Sequence, residues 1–180
     1  GVLSAVSRLV CDVNRKIEDD TMILRALEGH TLTFNKNVDV SEIQLRVERY
    51  YIPFHRAVHD HLQGRLSHLH PPLLLAVHSF TPNYMEEIRE MEIGIIFDSK
   101  CPDKALRLKG AFVDMGFTVA LNSPYSGMEG QMYSAWHHGH GNGLDYLELE
   151  MRQDLFTPDK RAENVERIVE AIIKGTQISN

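Results

Sequence analysis

His78 follows the apolar run Leu73 to Val77, so its imidazole can be held rigidly at a strand end, a placement that suits a metal ligand. A hydrogen-bonded core histidine is the competing reading. Further along, Glu148, Glu150 and Arg152 alternate with Leu147, Leu149 and Met151, which sets two acids and a base on one face of a strand. Carboxylates on a buried face are unfavourable unless paired or functional. Either Glu148 or Glu150 forms a structural ion pair with Arg152, or the acids serve catalysis. Arg8 and Arg15 bracket Asp12, with Asn14 beside Arg15. Guanidinium forks bind carboxylates bidentately, so this segment either grips an acidic substrate or closes an Asp12–arginine pair. Tyr125 follows Asn122-Ser123-Pro124 in a turn-rich stretch, and His137, His138 and His140 lie in a glycine-rich one. That histidine cluster could bind metal, although a solvated loop is the commoner meaning of such a run. An imidazole, carboxylates, guanidiniums and a phenol together suffice for metal-assisted hydrolysis of an anionic substrate.

These groups need strands and helices to position them. Val2, Ala5, Val6, Leu9, Val10, Cys11 and Val13 give residues 1–13 the near-continuous apolar character of a strand buried on both faces. Residues 14–40 lack periodicity and read as a long loop. From Ser41, which with Gln44 resembles a capping box, apolar residues recur at spacings of three and four to Leu66, and Pro53 should kink or divide this helix. Strands are expected at 73–77, 92–97, 117–121 and 145–152. A helix is expected at 104–115 and another from a Thr157 cap to Gly175, with Val165, Ile168, Val169, Ile172 and Ile173 on its apolar face. Alternating strands and helices imply an α/β fold with a mostly parallel sheet and helices on both faces, a three-layer α/β/α arrangement. Sites in such sheets gather at the carboxyl ends of strands, where His78, Asn14-Arg15, Asn122 to Tyr125 and Glu150 to Arg152 all fall.

Composition narrows the field. The 180 residues fit one domain, and 43% apolar with 24% charged residues is ordinary for a globular chain. A formal charge of −6 opposes broad attraction to phosphate backbones, so nucleic acid is not an expected partner. No apolar run approaches the ~20 residues of a membrane span, and residues 1–10 lack a signal-peptide pattern, so no membrane partner and a cytoplasmic location are expected. Cys11 and Cys101 read as free thiols. Ten histidines are present; His59, His61, His68 and His70, in or after a polar helix, read as solvated imidazoles.

Five stretches, in this order, resemble the N-formylglutamate amidohydrolase family: Ser7 to Arg15, Pro53-Phe54-His55, His78 to Pro82, Asn122 to Gly127, and Gly143 to Leu155. The resemblance runs over essentially the whole chain. It implies a phosphorylase/hydrolase-like fold similar to the zinc carboxypeptidases, with zinc as cofactor and a small-molecule acyl amino acid as partner. It further implies His78 as a zinc ligand, Glu150 as the general base, Arg8 as an oxyanion stabiliser, and Asn14-Arg15 as the grip on a substrate carboxylate. Tyr125, Arg152 and His138 complete the expected substrate-binding set. The implied reaction is hydrolysis of the amide between a formyl or other acyl group and an acidic amino acid.

The resemblance also implies a histidine and an acid, two further zinc ligands, on a segment upstream of the Ser7-Arg8 stretch. No His-x-x-Glu occurs in the sequence. One histidine alone cannot hold a catalytic zinc, which takes about three protein ligands. The chain is expected to lack an N-terminal part of a single amidohydrolase-like domain. The alternatives are recruitment of ligands from the 137–140 cluster, or a metal-free relative that binds acyl amino acids without hydrolysis.

Overall fold

No strand forms over residues 1–13. Local polar groups draw this backbone into turns instead: the Ser7 carbonyl accepts from Val10 N–H at 2.9 Å, and the Asp12 carboxylate accepts from Asn14 N–H at 3.0 Å. Side chains that satisfy nearby backbone groups in this way compete with a sheet ladder. The computed structural model describes residues 1–66 and 72–177, so His68, His70 and Pro71 lie outside the described residues. The chain divides into two compact units, Gly1–Pro72 and Leu73–Asn180.

In the first unit the expected loop holds short pieces of structure. A hairpin joins β1 (Ala26–Leu27) to β2 (His30–Thr31) through Glu28 and Gly29, both at positive φ as a tight two-residue turn demands. The buried Asn35 then ties the loop together. Its amide donates to the carbonyls of Leu9 (2.7 Å) and Leu24 (2.6 Å), and its oxygen accepts from Arg46 Nη1 at 2.7 Å. The first helix, α1 (Val40–Arg46), is capped by Asp39, whose carboxylate accepts from Glu42 N–H; Ser41 is already inside the helix. Pro53 divides the helix as expected. A wide π turn over Val47–Tyr51 precedes α2 (Ile52–Leu66), because proline cannot donate to the carbonyl four residues back.

The second unit is the three-layer α/β/α arrangement. In chain order come β3 (Leu73–Phe80), the small hairpin β4 (Asn83–Tyr84) and β5 (Glu87–Ile88), and β6 (Ile93–Ile96). Next are α3 (Pro102–Asp114), β7 (Val119–Leu121), α4 (Tyr133–Gly141), β8 (Asp145–Arg152) and α5 (Arg161–Thr176). The main sheet runs β3-β8-β6-β7; β3/β8 and β6/β7 are parallel, and β6/β8 is antiparallel. The last strand in sequence is therefore central in space. One face of the sheet, carrying Ile93, Ile95, Leu147 and Leu149, packs on Leu108 and Phe112 of α3 and on Ile168 and Ala171 of α5. The other face carries Ile96 and Tyr146 against Met132 and Ala135 of the α4 side.

Two expectations for the last helix change. Thr157 stands ahead of a helix that begins at Arg161 without a side-chain cap, and Gly175 lies within it. A Cβ at Gly175 would come within 2.8 Å of Leu108 Cα, so this glycine permits close approach of α5 to α3. Ile168 is buried and Ile172 packs on the core, whereas Val165, Val169 and Ile173 point outward.

Candidate active site

The face of β8 that carries Tyr146, Glu148, Glu150 and Arg152 is built by alternation, and its position at the centre of the sheet buries it. Glu148 is 1% exposed and Glu150 4%. Parallel pairing with β3 places His78 opposite Glu150 and Phe80 opposite Arg152, so His78 and Phe80 share that face. The His78 Nε2 atom lies 3.4 Å from Glu148 Oε2. Ligand atoms of His78, Glu148 and Glu150 all lie within 4.8 Å of one another. Thus His78 and Glu150, expected from sequence, come together, and Glu148 joins them. Alternation in the sequence puts Glu148 and Glu150 on one face, but no local pattern encodes the β3/β8 register that brings His78 alongside.

Of the two readings open for these acids, the structural ion pair from Glu148 or Glu150 to Arg152 does not form. The Arg152 guanidinium instead holds Asp154 at 2.7 Å and approaches Glu92 at 4.0 Å. It also donates to the carbonyls of Arg89 (3.1 Å), Glu90 (2.9 Å) and Met91 (3.4 Å). This hydrogen bond from Arg152 holds the Asp154 carboxyl below its usual range. Arg152 thereby braces the segment leading into β6.

On β6, Gly94 sits opposite Glu150. A Cβ there would meet the Ser123 carbonyl oxygen at 2.3 Å and Glu150 Cβ at 3.3 Å, so only glycine lets the 122–125 loop settle against the strand beside Glu150. Asn122 shapes that loop from positive φ, its side-chain oxygen accepting from Phe97 N–H at 3.0 Å and Gly127 N–H at 3.3 Å. The Ser123–Pro124 peptide is cis. Tyr125 follows, half-buried against the Ile96–Met132–Tyr146 cluster.

Arg89, which no motif in the sequence marks, is 6% exposed and lies over the rings of Phe80, Tyr84 and Tyr125. The histidine cluster, whose sequence left a metal site or a solvated loop open, is on a helix, α4: His138 is buried, and the rings of His137 and His140 stack on Tyr133 and Trp136. Gly139 lets α4 approach β8, since a Cβ there would strike the Tyr146 ring at 2.4 Å.

In the first unit, Asp12 organises its neighbours. It pairs with Arg8 at 2.8 Å, accepts from Asn14 N–H, and its carbonyl accepts from Arg15 N–H at 3.2 Å. Tyr51 OH donates to the Arg15 carbonyl at 2.9 Å. Of the two readings open for this segment, the Asp12–Arg8 pair is formed, and Arg15 has no ion pair among the described residues. Burial, then the nearby Asp12 charge, pushes the Cys11 thiol up to about 11. Both cysteines are free thiols, as expected.

The model of the N-formylglutamate amidohydrolase family matches residues 1–157. The chain belongs to that family. Membership makes it an amidohydrolase, a class that acts on a small-molecule substrate. The crystal structure of a gene product from Agrobacterium tumefaciens is similar at 28% identity and a TM-score of 0.75, over 92% of this chain and 68% of that one. The crystal structure of N-formylglutamate amidohydrolase from Ralstonia eutropha shares the fold at 17% identity and a TM-score of 0.69, over 93% of this chain and 71% of that one. No curated protein matches the chain. Among the described residues, no helix is long and apolar enough to cross a membrane.

Proposed function

We propose that the chain is a zinc-dependent amidohydrolase that cleaves the amide of an N-acyl acidic amino acid, N-formylglutamate first among them. The observation that carries this reading is the cluster of His78, Glu148 and Glu150 on one buried face of β3 and β8. One imidazole nitrogen and carboxylate oxygens are donors that zinc accepts, and the mutual spacing of these atoms is compact enough for a shared ion. His78 and Glu148 would supply two of its ligands, leaving Glu150 for proton transfer. Zinc bound there would supply Lewis-acid polarisation of the acyl carbonyl.

Glu150 performs the proton work. Its carboxylate takes a proton from the attacking water as the water oxygen bonds to the acyl carbon, and returns it to the amine nitrogen as the C–N bond breaks. The products are formate, or another small acid, and the free amino acid. Burial of Glu148 and Glu150 strengthens charge interactions around them. Arg152 positions the 89–91 segment.

Metal analysis of the purified protein and an assay of formate release from N-formylglutamate test the reading. About one zinc per chain with turnover is expected, and zinc content should fall in both His78→Ala and Glu148→Gln. Protein that binds N-formylglutamate without metal and never cleaves it would instead be a binding relative. Zinc retained in full by both variants would remove the assigned ligands.

A further inference from the structure

Arg89 lacks what Arg152 has. Among the described residues its guanidinium makes no ion pair and no hydrogen bond, and its buried Nε finds no acceptor. The charge faces aromatic rings instead, with Cζ 4.8 Å from the Tyr84 centroid and 5.6 Å from those of Phe80 and Tyr125. Ring faces attract a cation, yet they offer no acceptor suited to a fork of five N–H donors. A buried guanidinium with unsatisfied donors is unfavourable unless an anion completes it.

The backbone holds this cation in place from both sides. Arg89 N–H donates to the Pro82 carbonyl at 2.9 Å, and its own carbonyl accepts from Arg152 Nη1. Its three rings come from three places: the end of β3, the β4 strand of the small hairpin, and the loop after β7. Phe80 shares its face with His78 two residues earlier, ~7 Å along the strand. An N-acyl amino acid with a short acidic side chain can span that separation.

Resting on the amidohydrolase reading above, we propose that Arg89 receives the side-chain carboxylate of the substrate, so that the aromatic cage selects acidic over neutral N-acyl amino acids. The guanidinium supplies a bidentate fork, and the rings of Phe80, Tyr84 and Tyr125 hold it in orientation.

The test compares N-formylglutamate with N-formylglutamine, which has the same shape without the side-chain charge. For wild type, Arg89→Met and Arg89→Lys, kcat/KM and the calorimetric Kd are measured on both compounds, and thermal melts establish folding. Wild type should prefer the acid. That preference should fall about 100-fold in Arg89→Met, the scale of removing one partner of a buried charge pair. It should return in part in Arg89→Lys, which keeps the charge but not the fork. Should the methionine variant not fold, the lysine variant carries the comparison with a smaller fall. Equal losses on both compounds, or a wild type that binds the two alike, would overturn the proposal. A wild type that binds the acid through Arg89 yet hydrolyses neither compound would leave this inference standing and remove the amidohydrolase reading.

Discussion

The two faces of β8 differ in almost every respect although they share one backbone. Leu147 and Leu149 are fully buried among aliphatic and aromatic side chains of α3 and α5. One residue to either side, Glu148 and Glu150 are as deeply buried but turn towards His78. A two-residue period thus separates the groups that hold the fold from those that can do chemistry. The apolar face lowers the free energy of folding through area removed from water, ~25 cal/mol per Å². The polar face works against it, because buried carboxylates lose hydration. A fold keeps such a face when the acids have a task.

The largest effect should come from exchanging neighbours across that divide. Glu150→Gln is expected to lower kcat by ~10²–10⁴-fold, the usual contribution of a positioned acid–base group, while thermal stability holds or rises. Leu149→Ala should lose ~2–5 kcal/mol of stability, the range for truncating a buried leucine, with turnover of the folded fraction little changed. Denaturant titration and single-substrate kinetics on both variants decide it. If Glu150→Gln lost stability as Leu149→Ala does and kept its activity, the division of labour would be wrong.

Much of this unit was legible in the sequence because its signals are periodic. The alternation in 145–152 predicted β8 with its boundaries, and the apolar run before His78 predicted β3, although that strand continues to Phe80. What failed was what periodicity does not encode. Residues 1–13 read as a strand by composition, but Ser7 and Asp12 turn the backbone through bonds that apolar counting ignores. Likewise, Gly139 and Gly141 made the histidine run look like a loop, whereas Gly139 serves close contact between α4 and Tyr146. Long-range pairing was illegible for a different reason. No local feature states that β8 lies beside β3 with His78 opposite Glu150, and both Glu148's place at the site and the Arg89 cage depend on that register.

A second, smaller contrast uses the glycines on the two faces. Gly94→Ala would place a methyl 2.3 Å from the Ser123 oxygen beside Glu150, and Gly175→Ala would place one 2.8 Å from Leu108 Cα behind the apolar face. Both should lose ~1–3 kcal/mol, as overpacking does. Only Gly94→Ala should also affect catalysis, by up to ~10²-fold, because misplacement by an ångström near reacting groups has that effect. Equal kinetic damage from Gly175→Ala would show that the two faces are mechanically coupled.

The smallest expected effect lies where Arg152 leaves β8. Asp154→Asn removes the charge that Arg152 pairs with at 2.7 Å but leaves the three carbonyl contacts to residues 89–91 in place. Asp154 keeps 41% of its side-chain exposure, so the pair should be worth no more than ~1 kcal/mol. The folded-state pKa of Asp154 is depressed by Arg152, so the pair contributes fully above the unfolded value, ~3.9, and its contribution fades as pH falls through the lower folded value. Denaturant titrations at pH 7 and below pH 4 should therefore show a small gap between wild type and Asp154→Asn that closes on acidification. If Arg152 also steadies Arg89 through the shared segment, KM for the acidic substrate should rise by no more than about fivefold, the equivalent of ~1 kcal/mol, with kcat unchanged. A kcat loss like that of Glu150→Gln would move Arg152 from the brace of this face into its chemistry.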